Sequence, residues 1–442
     1  MSEIISAFPS KAYFINMITK DIALEDSILD LIDNCLDGAR RQICREKGEA
    51  VLRPIYEGYE VKINLDENQF SIEDNCGGIP DDAFHFGKPA VVSTESKYSL
   101  GLSSLGMKRA IFKIGQHIRI QSSTKTAAFS LDIDVNRWAE NANDWDFEIK
   151  REEKWANPGT RIEIQNLNKD INEEFADSIF VNILRGTIAR NYVFPLHNGF
   201  SIIVNGYKVK PYDFKLRESE VFRPQNSYYV DEFFPDVSIK IIAGFNDLPP
   251  DDASSNEARE ELRHIPYMGW FVACNGRIVL AGDKSKKTVW GNGGFYRWHT
   301  QYHGFMGIIS FYAADPKLLP WTTTKRDLNL TNPLYLRALI QMENATRRYI
   351  HYTNERKEDL TRAKAMERQA ALTPITQLAE QSALILPHFS KFPTLEMAEI
   401  KYYKPKRDVI KVKEALDAPF ITNSEAGAYI FDDFLETEAS GY

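Results

Sequence analysis

The segment Asp30-Leu-Ile-Asp33-Asn34-Cys-Leu-Asp37 sets acids and one amide at helical spacing. A magnesium ion takes a few hard oxygens beside phosphates and waters, and the Asn34 amide oxygen can complete such a shell. Asp30, one turn earlier, can accept a proton from a water aimed at a phosphate. In Asp74-Asn-Cys-Gly77-Gly78-Ile79-Pro80 an acid ends a strand. It can accept a hydrogen bond from an exocyclic amino group, while the two glycines let backbone approach a flat ring. The stretch Leu100-Gly101-Leu-Ser-Ser104-Leu105-Gly106-Met107-Lys108 is a glycine-rich turn leading into a helix. Such turns offer free N–H groups to anions, and Lys108 adds charge. The fourth segment is Asn157-Pro-Gly159-Thr160, just before a strand. Taken singly, each has a plainer account: a solvated helix face, a tight turn, or a hairpin turn.

The elements that must hold these residues are legible. Ile28, Leu31, Ile32, Cys35, Leu36 and Ala39 make one apolar stripe, which predicts a helix over 22–47 with Asp30, Asp33, Asn34 and Asp37 on its opposite face. Glu60–Leu65 and Phe70–Asp74 alternate as strands around an Asp66–Gln69 turn. Residues 84–108 read as a long functional loop, followed by a helix over Arg109–Ile114. Strands are expected at His117–Ser123, Ala127–Ile133, Trp145–Lys150 and Arg161–Gln165. This is a helix-and-loop layer on a mostly antiparallel sheet, an α+β pattern. From about 171 the pattern restarts with a helix (Asn172–Arg190), strand Ser201–Val204 and a turn at Asn205-Gly206. Further strands are expected near Val237–Ala243, Gly269–Ala273, Arg277–Leu280 and Phe305–Tyr312, and a charged helical stretch over 334–372. The acidic end, Asp432 to Tyr442, reads as disordered.

Composition narrows the class. The 442 residues carry a net charge of -8, which disfavours a protein that coats nucleic acid without specificity. Cys35, Cys44, Cys76 and Cys274 form no CxxC pair, so neither a zinc site nor a disulfide framework is expected from them, and a reducing, cytoplasmic setting is. No run of about 18 apolar residues suggests a membrane span, and the start has no apolar signal region.

The order and spacing of the four segments, all within residues 10–170, resemble the Bergerat nucleotide-binding fold. Gyrase B, MutL, heat-shock chaperones, MORC proteins and histidine kinases share it. The resemblance implies that ATP and magnesium bind here, with Asn34 holding the metal. It implies that Asp74 binds the adenine amino group, with Thr160 joining that network through the acid, and that residues 101–108 form a lid over the phosphates. Asp37, Gly77, Gly78 and Ile79, with Gly101, Ser104, Leu105, Gly106, Met107 and Lys108 of the lid, complete the implied nucleotide-binding set. Three positions depart from the pattern. Asp30 stands where Glu is usual, Cys76 replaces the first glycine after the adenine-binding acid, and Ser104 replaces the middle lid glycine. Aspartate is shorter by one methylene, about 1.5 Å. Since a general base must come within about 2.6–3.2 Å of its water, slow turnover is expected with Asp30 as base.

The second half suggests which branch is closest. No phospho-acceptor helix precedes the site as in histidine kinases. Ile188-Ala-Arg190-Asn-Tyr192, Gly199–Gly206 and Val209-Lys-Pro211 are similar to the opening of MutL and MORC transducer domains. Near the end, Leu319-Pro-Trp321-Thr-Thr-Thr324-Lys325-Arg326-Asp327 resembles their sensor loop, with Lys325 reaching the γ-phosphate and Arg326 as second choice. Trp270, Trp290, Trp298 and Trp321 read as core. Lys284, Lys286 and Lys287 read as a solvated loop or, more sharply, a nucleic-acid backbone contact. Phe8, Tyr13, Phe14 and Met17 suit either an arm that crosses to a second copy or a helix packed on its own domain. The expected arrangement is a Bergerat α/β sandwich over 1–170, an α/β transducer domain of ribosomal-protein-like fold over 171–335, and a helical extension with a flexible tail over 336–442. The function this implies is an ATP-hydrolysing switch of MORC/MutL type that homodimerises on ATP binding, in DNA maintenance or anti-phage defence. A chaperone-like ATPase, a nucleic-acid clamp and a non-hydrolysing sensor that recruits a partner protein are the alternatives.

Overall fold

The structure is a computed structural model that describes residues 9–80, 97–101, 105–140, 145–250, 267–322, 324–389, 400–401, 403–416 and 421–437. Phe8 and Ser104 lie outside the described residues. The chain divides into a large unit, 1–389, and a small one, 390–442.

Helix α1 (Lys11–Thr19) starts at Ser10, whose Oγ accepts from the Tyr13 N–H at 3.2 Å. It packs on its own domain: the Phe14 ring meets Trp145 edge-on at 5.4 Å, and Lys11 Nζ lies 4.3 Å from the Trp138 ring centre. Tyr13 and Met17 are exposed. Helix α2 (Leu24–Lys47) ends at Gly48, whose φ of 70° only glycine adopts without strain. Its apolar stripe is buried as expected, but so are Asp30, Asp33 and Asp37, at 3%, 0% and 4% exposure. The acid face is therefore not a solvated one: its charges are paired inside the protein.

An eight-stranded sheet runs in the order β5-β4-β3-β6-β2-β1-β7-β8. In chain order its strands are β1 (Glu60–Leu65), β2 (Gln69–Asp74), β3 (Gly115–Ser123), β4 (Ala128–Asp134), β5 (Ile149–Glu152), β6 (Gly159–Leu167), β7 (Ser201–Val204) and β8 (Tyr207–Lys208). Asp66 closes the β1–β2 turn by accepting from the N–H groups of Asn68 and Gln69. Helix α3 (Leu105–Ile114) leads directly into β3 and packs beside α2. One core joins the α2 stripe to Val61, Ile63, Ile72, Ile118 and Ile162 of the sheet.

Several expectations shift. The run Trp145–Lys150 is not a strand until Ile149, because Trp145 and Phe147 pack instead on Trp138 of α4 (Val135–Glu140). Asn172–Arg190 is two helices, α5 (Lys169–Ala176) and α6 (Ser178–Asn191). Asp177 separates them and caps the second by accepting from the Ile179 N–H. After α7 (Val193–His197), β7 pairs in parallel with β1, Glu60 opposite Ser201, so the first sheet takes strands from beyond residue 170.

Strand β9 (Lys215–Glu218) precedes the second sheet, which has the order β10-β11-β14-β12-β13. Its strands are β10 (Gln225–Asp231), β11 (Phe234–Phe245), β12 (Gly269–Cys274), β13 (Arg277–Asp283) and β14 (Phe305–Ala313). Every residue of β12 and β14 is buried, as expected where a sheet is covered on both faces. The predicted 334–372 helix is broken: α8 (Pro333–Glu355), a 3-10 turn (Arg356–Asp359), α9 (Leu360–Gln369), then β15 (Ala371–Pro374) paired with β9. Trp270 and Trp290 are fully buried, and the Trp270 indole N–H donates to Thr346 Oγ1 on α8 at 3.0 Å. The small unit contains α10 (Lys406–Ala415) and α11 (Asn423–Thr437). Asp432 and Asp433, placed in a disordered tail by the sequence reading, are helical, while 438–442 lie outside the described residues. No described helix is long and apolar enough to cross a membrane.

Candidate functional site

Pairing of β2 with β6 sets Asp74 directly opposite Thr160. The two backbones touch so closely that a Cβ on Gly159 would lie 2.0 Å from the Asp74 carbonyl oxygen. From the other side, α2 approaches through Gly38, where a Cβ would lie 2.6 Å from the Cys76 carbonyl oxygen. These glycines bring helix and strand end together around one carboxylate. Asp74 Oδ1 accepts from the Cys76 N–H at 2.7 Å, and Oδ2 accepts from the Cys35 thiol at 3.4 Å. Burial pushes the Asp74 carboxyl up to about 6, although the Cys76 N–H, the Cys35 thiol, the Thr160 N–H and Arg41 all favour its charged form. Gly78, at φ 72°, passes tight against the Ser123 carbonyl, and Ser122 Oγ both accepts from the Ile79 N–H and donates to its carbonyl.

The result is a narrow, solvent-open cleft with a cavity volume of about 30 Å³. Leu31, Ile72, Ile79, Met107 and Ile162 give it apolar walls, Asp74 and Thr160 lie on its floor, and Asn34 and Arg41 line it from α2. An apolar slot with one fixed acceptor suits a flat heterocycle bearing an exocyclic amine. The Asn34 Nδ2 is buried and without a hydrogen-bond partner among the described residues.

One turn back along α2 the chemistry is ionic. Asp30 Oδ2 accepts from Arg109 Nε and Nη2 of α3 at 2.8 and 2.5 Å, and Lys325 Nζ lies 3.6 Å from Oδ1. Asp33 accepts from the Tyr192 hydroxyl at 2.8 Å and from Lys325 Nζ at 2.6 Å, and it is ion-paired to Arg277 of β13. Lys325 sits in a tight loop, its N–H donating to the Thr322 carbonyl, with φ at 57°, a left-handed conformation unusual for lysine. Arg326 is paired elsewhere, with Asp26 at 2.5 Å.

Of the residues singled out from sequence, Asn34, Asp74, Gly78, Ile79, Met107 and Thr160 line the cleft. The others do not. Asp37 anchors the loop before α3: its oxygens accept from the N–H groups of Leu100 and Gly101, both at 2.7 Å, so the Gly101 N–H is held by a carboxylate. Gly77 faces Gln42, and Leu105 and Gly106 open α3, with a Gly106 Cβ 3.6 Å from Asp30 Oδ2. Lys108 is buried, and burial pushes its ammonium down to about 8. Lys287 is ion-paired with Asp327, and Lys284 Nζ lies 5.2 Å from the Trp298 ring, which favours the structural account of that basic run. Sequence reasoning missed Arg109, Arg277, Tyr192, Arg41 and Cys35. The last two were within reach, since 31, 34/35, 38 and 41 follow the helical repeat.

Residues 22–170 match the family described as histidine kinase-, DNA gyrase B-, and HSP90-like ATPase. No curated protein matches the chain. Within residues 22–170 the residues present fit the nucleotide: an acid in an apolar slot suits the base, and Asn34, lining the same cleft, carries an amide oxygen of the hard-donor type that magnesium takes.

Proposed function

We infer that the chain binds ATP with magnesium in this cleft and hydrolyses it slowly, as a switch of the MutL and MORC type. One observation carries the finer part of this reading. Lys325, 292 residues after Asp33, inserts its ammonium between Asp33 and Asp30 on the helix that bears Asn34. Residues 171–335 then serve as a transducer domain that reads the nucleotide, while lending β7 and β8 to the first sheet, and 336–442 as a helical extension.

The roles follow from the contacts. Asp74 accepts from the exocyclic amino group and Thr160 supports it, while Ile79, Met107 and Ile162 flank the ring and exclude water. Asn34 turns its amide oxygen to magnesium, which supplies charge neutralisation at the phosphate oxygens when bound. Lys325 exchanges its carboxylate partners for a terminal phosphate, a charge-assisted contact that is lost with that phosphate. That exchange biases the chain toward a closed state in which two copies pair. Asp30 takes the proton of the attacking water through the oxygen not held by Arg109.

The Arg109 clamp favours a second reading, a sensor that binds ATP without turning it over. A single-turnover phosphate-release assay on wild type and Asp30→Glu separates the two. Slow release that is abolished in Asp30→Asn and raised in Asp30→Glu supports hydrolysis. No release from any of the three overturns it. Pairing is tested by sedimentation with a non-hydrolysable ATP analogue: a dimer that requires the analogue supports the switch, and an unchanged monomer overturns it.

A further inference from the structure

We propose that His351, Glu355 and His388 form a divalent transition-metal site, of zinc-binding type, at the far side of the second sheet. His351 and Glu355 sit one turn apart on α8, and His388 arrives from the segment that follows β15. His351 Nε2 lies 2.8 Å from Glu355 Oε1, and His388 Nδ1 lies 3.0 Å from Oε2. The three ligand atoms all fall within 4.8 Å of one another. In a tetrahedral zinc site, bonds of about 2.0–2.2 Å set ligand atoms roughly 3.3 Å apart, so small side-chain adjustments suffice. Two neutral imidazoles and one carboxylate are a donor set suited to zinc, and they leave a coordination position open.

Two further features favour a metal over an incidental trio. All three side chains line one cavity of about 690 Å³, which Gln341, Arg347 and Arg348 also line. The trio thus borders a partly open cavity that also carries cations, where water or an anionic group can complete the shell. The segment carrying His388 is also held along its length: its backbone bridges Asn226 of β10 at Gln381 and Arg223, just before β10, at Ile385, and Phe389 packs against Tyr352 of α8 at 6.0 Å. A metal at its end clips this strap to the long helix. The ATP cleft takes no part in this, so the proposal stands or falls independently of nucleotide binding.

The test uses the full-length protein, stripped with a chelator and titrated with zinc chloride by calorimetry, and with cobalt(II) for its visible absorption. One zinc per chain is expected, with a cobalt spectrum of tetrahedral or five-coordinate type and a rise in melting temperature at saturating zinc. His351→Ala, His388→Ala and Glu355→Gln should each weaken binding by at least about tenfold and abolish the thermal shift. Both histidines are exposed, so the metal-free variants should melt as the metal-free wild type does. A variant that melts lower without metal is read from the cobalt spectrum below its transition, where loss of the band supports the site and retention overturns it. Absent saturable uptake in wild type, or uptake equal in wild type and the His351→Ala/His388→Ala double variant, overturns the proposal.

Discussion

Replacing Asp33 with asparagine should be among the most destabilising single changes in this protein, and the reason is countable. Asp33 is fully buried and receives the Tyr192 hydroxyl, Lys325 and Arg277, the last two also buried. With Asp30 and Arg109 the cluster holds two carboxylates against three cations. Asp33→Asn leaves one carboxylate against three, and turns an N–H donor toward groups that are themselves donors. Breaking a buried pair by removing one partner costs about 3–5 kcal/mol, because the remaining charge is stranded. The assay is urea unfolding followed by tryptophan fluorescence, read as a shift in midpoint at unchanged slope. A double variant, Asp33→Asn/Arg277→Met, removes one stranded cation and should be more stable than the summed single effects by about 1–3 kcal/mol. A cost under about 1 kcal/mol for Asp33→Asn, as for an exposed pair, would refute the reasoning. So would strict additivity in the double variant.

Other outcomes follow from the same contacts. Arg109→Gln frees Asp30 Oδ2, so phosphate release should rise while stability falls by about 3 kcal/mol; unchanged release would show that the clamp does not restrain Asp30. The Asp74 carboxyl is pushed up to about 6 from 3.8, so it costs stability at neutral pH. The sign is that of a raised acid: the cost is fully present above pH 6, shrinks as pH falls toward 3.8, and vanishes below it. Carbon NMR of the Asp74 carboxyl should therefore show a midpoint near 6 in the free protein, and a midpoint near 4 would contradict the burial described. Gly159→Ala drives a methyl into the Asp74 carbonyl, and should cost about 1–3 kcal/mol and weaken ATP binding; full retention of both would mean that the strand contact is looser than the structure has it.

Much of this was readable from residue patterns, for identifiable reasons. The period of 3.6 along α2 and of 2 along β1 and β2 follows from burying one side of each element, so apolar spacing revealed them. The Asp74 turn was equally local, since its glycines and hydrogen bonds lie within a few residues. What pattern could not supply was the fate of the α2 acids. Their partners Arg109, Tyr192, Arg277 and Lys325 lie 79 to 292 positions away, and only the assembled fold brings them in. A buried acid and a solvated one look alike in sequence. Parallel pairing is equally silent, which is why β7 joining β1 was not foreseen. Asp37 was assigned to the nucleotide through the resemblance; in the fold it holds Leu100 and Gly101.

The most direct test of the central claim is calorimetry of ATP with magnesium on wild type and on Asp74→Asn. The substitution keeps the shape of the side chain but removes the charged acceptor. Hydrogen bonds to charged groups are worth about 1.5–3 kcal/mol, so wild type should bind one ATP per chain and Asp74→Asn should bind it about tenfold to a hundredfold more weakly. No uptake by wild type, or equal uptake by both, would contradict the account.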